Sequence, residues 1–409
     1  MAWECEKDND YFMRIIFITP KLNFKTSGGS VFEYDLLVRT IKELGHDIKV
    51  VTAYSDANII EEPLPYEVIE EQLRARRLLG IQWGVFKLLK KYASQADFFY
   101  LDGHFFLYGA GLYRLAGGLV PVGAFFNREL IAWPEDISDL AGVAQKNYFT
   151  KAKEKLRWCI EKYLGMPLAS HMDIFCFTNP YLEKAYLDFG LNKKSNSWLI
   201  MGDPFNFRTF MAEHGLTENS YIERNKKAGP ITLFYSARMV PGRGFGTLLR
   251  AFAEIKNKDN FRLVLSGGGP EEAKIRKMIE DLNLEKYVQL PGWVPKDKLW
   301  DYFNQADIYV QARWRKEISS CTVLEAMTYG LPSILPGGGG LAWVAQDSAL
   351  YFKAEDHKDL AQKIELLGSS RELRDQLSKN CYQRLAEDQM DHMIQTKRLC
   401  NEMLNVLKK

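Results

Sequence analysis

The run RIIFITP at residues 14–20 is short, apolar and β-branched, the pattern of a buried strand. A Gly-Gly turn follows it. Apolar positions then recur at helical spacing through Phe32, Leu36, Leu37, Ile41 and Leu44, and Gly45 stops the helix. HDIKVVTA reads as the next strand. Strand, helix and strand in this order form a βαβ unit, which builds parallel sheet. The alternation continues with strands predicted at 97–103, 120–126 and 173–179, a helix at 180–190, and a strand from 197 that ends in turn residues by 205. Residues 212–229 show no period and read as a polar surface excursion. A second series opens at 231–238. It carries helices over 247–256, 271–284 and 296–306, between strands at 261–267, 288–294 and 307–313. Each series predicts a doubly wound sheet, with its ligand site at the carboxyl ends of the strands.

Composition narrows the class without naming a chemistry. The chain has 409 residues, 46% hydrophobic and 26% charged, which fits two globular domains better than one core. Lys and Arg number 54 against 52 Asp and Glu, a net charge of +2, so whole-chain charge gives nucleic acid no support. The cysteines (Cys5, Cys159, Cys176, Cys321, Cys381 and Cys400) are scattered, and none forms a CxxC pair. No zinc site is expected from them, and reduced thiols in a cytoplasm fit best. The opening MAWECEKDND is polar and resembles neither a signal peptide nor an anchor. No stretch has the roughly 18–20 apolar residues that span a bilayer.

The chemistry concentrates in EISSCTVLEAMTYGLP, residues 317–332. Val323, Leu324 and Met327 give a helix an apolar face, Gly330 suits a left-handed cap, and Pro332 stands just beyond. Ser319, Ser320 or Thr322 can cap its start. Glu317 then precedes the helix, and Glu325 lies about one turn inside it. On one continuous helix an eight-residue spacing turns the two roughly 80° apart, so a loop start lets them address different parts of a long ligand. Between them lie first-turn amides, which with the helix dipole bind phosphate. A nucleotide sugar fits this order: Glu317 toward the sugar, amides at Ile318, Ser319, Ser320, Cys321 and Thr322 toward phosphate, and Glu325 toward the ribose.

Nearly the whole chain resembles a GT-B glycosyltransferase of family 4, the large retaining group. TSGGSVFEYDLLVRTIKELGHDIKVVT resembles that family's opening Gly-Gly loop and helix. SARMVPGRGFGTLLRAF, SGGGPEE, PGWVPKDKLWDYFNQADIYVQAR and EISSCTVLEAMTYGLPSI resemble its later blocks, in the family's order. The resemblance implies two Rossmann-like α/β domains facing a cleft, over 1–203 and 204–388, with a last helix at 389–409 crossing back to the first. It implies that Arg238 and Arg243 neutralise the donor diphosphate, that Gly28 and Gly29 close over the donor, and that Trp293 and Val294 hold the base. It also implies that catalysis needs neither a metal nor a cofactor, the nucleotide sugar being a substrate.

The chain departs from the family pattern at several points. Asn127 and Arg128 stand where relatives carry a sugar-contacting His, and His104 is the nearest alternative polar group in the acceptor or sugar vicinity. Trp343 replaces a Glu after the glycines of GGGGLAWV at 337–344, and Met201-Gly202 replaces the Asn-Gly of the hinge. Arg238, Arg243, Glu317 and Asn127 are therefore the candidate catalytic residues, and a glycan or lipid-linked hydroxyl is the expected acceptor. RARRLLGIQWGVFKLLKKYA at 74–93 reads as a basic amphipathic helix able to lie on an anionic membrane at the inner face, and 151–165 as a weaker one. Two other readings stay open: a non-catalytic nucleotide-sugar sensor, and a GT-B nucleotide-sugar epimerase. A dehydrogenase is excluded because GRGFG at 242–246 lacks the full GxGxxG.

Overall fold

The computed structural model describes residues 12–25, 30–128, 140, 148–194, 196–225, 229–313 and 319–409. The first domain holds seven parallel strands: β1 (Arg14–Thr19), β2 (Asp47–Thr52), β3 (Glu67–Glu70), β4 (Phe98–Asp102), β5 (Val122–Phe126), β6 (Ile174–Phe177) and β7 (Ser197–Ile200). Their order is β3-β2-β1-β4-β5-β6-β7, so the chain reverses direction across the sheet between β1 and β4. The second domain holds six: β8 (Ile231–Ser236), β9 (Phe261–Ser266), β10 (Val288–Gly292), β11 (Ile308–Val310), β12 (Ser333–Pro336) and β13 (Ala349–Phe352). They run β10-β9-β8-β11-β12-β13, with the same kind of reversal between β8 and β11. In α/β sheets that reversal opens the crevice where ligands bind.

Both faces of the first sheet are covered, so its central strands are apolar throughout. Every residue of FFYLD in β4, VGAFF in β5 and IFCF in β6 is buried. One face packs on Val85, Leu88 and Leu89 of the helix Leu78–Tyr92. The other packs on the helix Ser30–Glu43 and on Leu399, Cys400, Met403 and Leu404. Those last four belong to the terminal helix His392–Leu407, which thus crosses back from the second domain to the first. Asp391 caps it, accepting from the amides of Met393 and Ile394 at 2.9 and 3.1 Å.

The structure corrects three local expectations. Residues 212–229 are more than a surface excursion: Tyr221 is fully buried in the short helix Ser220–Arg224, its hydroxyl donating to the Asp307 carbonyl at 2.7 Å. Phe32, placed by periodicity on the inner face of the first helix, is turned outward, while Glu33 is buried. The basic helix starts at Leu78, so Arg74, Arg76 and Arg77 precede it, and Arg76 pairs with Asp56 at 2.8 Å. The outer face of that helix leaves Leu79 and Trp83 74% and 51% exposed. Leu156, Tyr163 and Leu164, within 151–165, are exposed as well. Among the described residues, no helix is long and apolar enough to cross a membrane, and no cluster of His, Cys, Asp and Glu could hold a metal ion.

Candidate functional site

The loops at the carboxyl ends of β8, β9 and β11 are drawn together by glycines that permit backbone contact. A Cβ on Gly267 would stand 1.8 Å from the Ala237 carbonyl oxygen, and one on Gly244 would stand 1.9 Å from that of Ala312. Gly244 also has φ +74°, a left-handed conformation that favours glycine, and it caps the helix Phe245–Glu254. Arg243 therefore sits on a held turn: its carbonyl accepts from the Tyr235 hydroxyl at 2.7 Å, and the residue is half-buried. Arg238, on the loop just after β8, is exposed. Trp293 is 68% exposed and lies beside Gly268, where an added Cβ would meet its own Cβ at 3.6 Å. It is a surface ring and not a core residue. Val294, next to it, is half-buried.

The helix Cys321–Thr328 follows β11 and carries Glu325. Ser320 occupies the N-cap with extended backbone, yet its side chain caps nothing; its hydroxyl instead pairs with that of Thr322 at 2.7 Å. Tyr309 donates to the same Thr322 oxygen at 2.9 Å. The expected Ser or Thr cap is thus replaced by a hydroxyl chain, and the first-turn amides are not taken up by the cap side chain. Burial raises the Glu325 carboxyl to about 7, against the opposing pull of the Lys296 ammonium. Burial raises the Tyr309 hydroxyl well above its ordinary range; the Glu325 charge adds to the shift and that of Arg243 opposes it. Gly330 ends the helix at φ +63°, as its sequence predicts.

Asn127 stands at the end of β5 and faces this helix through Glu33. Its Nδ2 donates to Glu33 Oε2 at 2.6 Å, and its Oδ1 accepts from the Tyr34 hydroxyl at 3.1 Å. The Cys321 thiol donates to Glu33 Oε1 at 2.8 Å, a hydrogen bond from the second domain to the first. Burial pushes the Glu33 carboxyl up, while Cys321, Asn127 and the nearby Arg128 oppose the shift. Arg128 also lies over the Phe105 ring at 5.4 Å and donates to Ser30 Oγ. Asp203, at the interdomain hinge, is bonded by Ser319 and held well above the usual carboxylate range, by burial first and then by the Glu33 charge.

Asn127, Arg128, Ser319 and Cys321 accordingly gather around Glu33 and Asp203, with Ser320, Thr322 and Glu325 on the same helix; Arg243 stands apart, on the turn after β8. Gly28, Gly29, Glu317 and Ile318 lie outside the described residues, as does the side chain of His104. Sequence reasoning missed Glu33, Asp203 and Lys296. Glu33 lies one turn into the helix after the Gly-Gly loop, and Asp203 directly follows the Met201-Gly202 hinge; those positions were the available signals. Gly202 has φ +74°. Trp343 packs near Gly202 and beneath Arg384, which donates to the Trp343 carbonyl at 2.9 Å. Its ring lies against Gly202, on the turn after β7.

Known proteins agree with this architecture. The model of the family "Glycosyl transferases group 1" matches residues 218–384. The GPI3 subunit of phosphatidylinositol N-acetylglucosaminyltransferase from Saccharomyces cerevisiae is 30% identical over 124 residues, 28% of this chain and 27% of that protein. The chain thus aligns with about a quarter of that relative's length. Mannosylfructose-phosphate synthase of Agrobacterium fabrum is 22% identical over 353 residues, 79% of this chain and 74% of that protein. The solved structure of Anabaena Alr3699/HepE, in complex with UDP and glucose, superposes with TM-score 0.68 at 14% identity, covering 96% of this chain and 99% of that one. Residues 218–384 therefore carry the group 1 glycosyl transferase pattern, and the chain as a whole has the fold of GT-B glycosyltransferases.

Proposed function

We propose that the protein moves a sugar, with retention of configuration, from a nucleotide-sugar donor to an acceptor hydroxyl in the synthesis of a glycolipid, polysaccharide or other glycoconjugate. The observation that carries this reading is the helix Cys321–Thr328, which starts at the carboxyl end of the second sheet, faces Glu33 of the first domain, and carries Glu325 one turn in. The relative from yeast named above is a sugar transferase, and a neighbour of the same fold was solved with UDP and glucose. Both support this assignment.

In this reading Arg238, Arg243 and the first-turn amides meet the donor diphosphate, and charge stabilisation on the departing phosphate is the main catalytic lever. Trp293 and Val294 take the base, Glu325 the ribose, and Glu317 the sugar. Gly28 and Gly29 close over the donor. The leaving phosphate oxygen accepts the proton of the acceptor hydroxyl, which attacks from the same face, so no protein nucleophile is needed. Closure of the domains excludes water that would hydrolyse the donor. Asn127, oriented by Tyr34 and Glu33, stands beside the reacting sugar with Arg128 and His104. A panel of UDP- and GDP-sugars tested by thermal shift identifies the donor, since ligand bound to the native state raises its stability. Retention is read from the anomeric configuration of the product, and metal independence from an unchanged rate in chelator. A chain whose midpoint no nucleotide sugar moves would sink the reading.

A further inference from the structure

Glu33 and Asp203 come from separate elements of the first domain, a helix and the hinge, and bury their carboxyls at one point of the cleft. They are 7% and 8% exposed. Both oxygens of Glu33 are taken, one by Cys321 and one by Asn127. Asp203 differs: Ser319 bonds its carboxyl, yet Oδ2 has no hydrogen-bond partner among the described residues. A buried polar atom in this state calls for a ligand or another specific reason. The groups around the pair are known. Arg128, Tyr34 and, behind Tyr34, Asp102 face Glu33 from the first domain. Cys321 faces both acids from the second domain, with Glu325 and Lys296 beyond it.

We propose that Asp203 is a substrate-positioning residue whose Oδ2 hydrogen-bonds a sugar-type hydroxyl of the ligand held between the domains. This rests on the glycosyl-transfer reading and names a contact within it. The chemistry selects a hydroxyl. Burial, and after it the Glu33 charge, holds the Asp203 carboxyl well above its ordinary range, which favours the protonated form. A protonated carboxyl both donates and accepts, which complements a hydroxyl that does the same. It also puts no full negative charge beside the helix start assigned to diphosphate, which an ionised pair would do. Ser319 and Cys321, the partners of the pair, flank that helix start. The hydroxyl can therefore belong to the transferred sugar or to the acceptor.

The test uses the full chain carrying Asp203→Ala, which removes both carboxyl oxygens. Calorimetric titrations compare UDP and GDP with UDP-glucose, UDP-N-acetylglucosamine and GDP-mannose. Initial rates with alkyl glycosides as acceptors are followed across pH 6–9. The variant is expected to bind the free diphosphate within about twofold of wild type. If the hydroxyl is the donor's, affinity for the nucleotide sugar falls about tenfold; if it is the acceptor's, donor affinity holds and the acceptor KM rises about tenfold. In either case the alkaline limb of the rate profile moves in the variant, which a merely structural role would not cause. Wild-type behaviour in every arm overturns the proposal, as does an equal loss for diphosphate and nucleotide sugar. Wild-type chain that binds no nucleotide overturns the glycosyl-transfer reading instead, and this proposal with it. If Asp203→Ala does not fold, Ser319→Ala removes only the hydroxyl that orients Asp203, and it should show the same pattern at about threefold.

Discussion

Lys296 Nζ stands 3.9 Å from the centre of the Phe32 ring, so the helix Lys296–Gln305 of the second domain touches the first helix of the first domain. The same ammonium also pulls down the Glu325 carboxyl, which burial raises from an ordinary 4.5 to about 7. One side chain thus links a cation–π contact between domains to the protonation of a candidate donor ligand.

That link has a direction in pH. An acid raised on folding keeps an extra proton in the native state, so its stabilisation is full below about 4.5 and is lost as pH rises through about 7. Glu325→Gln suffers no such loss. It is expected to match wild type at pH 4.5 and to exceed it at pH 8 by about 2 kcal/mol, after discounting for partial exposure. Urea unfolding at the two values measures the difference. Lys296→Met should move the Glu325 midpoint further up, and a midpoint that falls or stays put would contradict the assigned coupling.

Gly244→Ala should be strongly destabilising, because it adds a Cβ 1.9 Å from the Ala312 carbonyl oxygen at a φ of +74°. The expected loss is roughly 2–4 kcal/mol by chemical denaturation. Gly268→Ala is the control: its nearest contact would be Trp293 Cβ at an ordinary 3.6 Å, and its φ is not left-handed. A similar loss in both variants would mean that glycine content, and not the approach of the β8 and β11 loops, sets the cost.

These residues also mark how far the sequence could be read. Hydrophobic runs gave ten of the strands because parallel strands buried on both faces are apolar along their whole length, as in FFYLD. β3, β12 and β13 escaped notice: β3 and β13 lie at sheet edges, β3 with Glu67 and Glu70 at its ends, and β12 follows directly on the Gly-Leu-Pro stop of the preceding helix. The helical period put Phe32 inside and said nothing of Glu33. The structure reverses them, because Phe32 is drawn out by Lys296, more than two hundred residues away, and Glu33 is held in by Asn127 and Cys321. Arg243 and Glu325 were legible since each sits in a local strand–turn–helix pattern. Asp203 was not, since its meaning depends on a partner in another domain.

The helix Leu78–Tyr92 buries Val85, Leu88, Leu89 and Tyr92 but leaves Leu79 and Trp83 in solvent, with Lys87 and Lys90 over the rings of Trp83 and Phe86. Its inner face is the packing face; its outer face is both apolar and basic, the pattern of a helix lying on an anionic surface. Co-sedimentation with phosphatidylserine vesicles at low salt is expected, and weakening as salt is added. A Lys87, Lys90→Glu double variant should lose most of the binding while unfolding at the wild-type temperature, as neither lysine has a carboxylate partner within salt-bridge distance among the described residues. Lys91 is left intact because it pairs with Glu71. Wild-type chain that stays in the supernatant at low salt would leave this helix as sheet packing alone.

The sharpest prediction separates the roles along the donor. Arg243 is carried on a turn fixed by Gly244 and by the Tyr235 hydroxyl, so Arg243→Ala removes a guanidinium and leaves the main chain in place. If the guanidinium meets the departing diphosphate, turnover should fall about 10²-fold or more while the melting temperature holds. Glu325 lies one turn inside the helix Cys321–Thr328, where it would accept from ribose hydroxyls, so Glu325→Ala should weaken free nucleoside diphosphate. Glu317 precedes that helix in the chain and is assigned to the sugar, so Glu317→Ala should depress transfer while sparing the diphosphate, which has no sugar to lose. A hydrogen bond to a charged group is worth about 1.5–3 kcal/mol, or roughly 10- to 150-fold in either measurement. Calorimetry with the diphosphate and initial rates with the nucleotide sugar, run on all three variants, give the full pattern. Equal losses of diphosphate affinity in Glu317→Ala and Glu325→Ala would break the split between sugar and ribose. Normal turnover in Arg243→Ala would place the diphosphate charge on other groups.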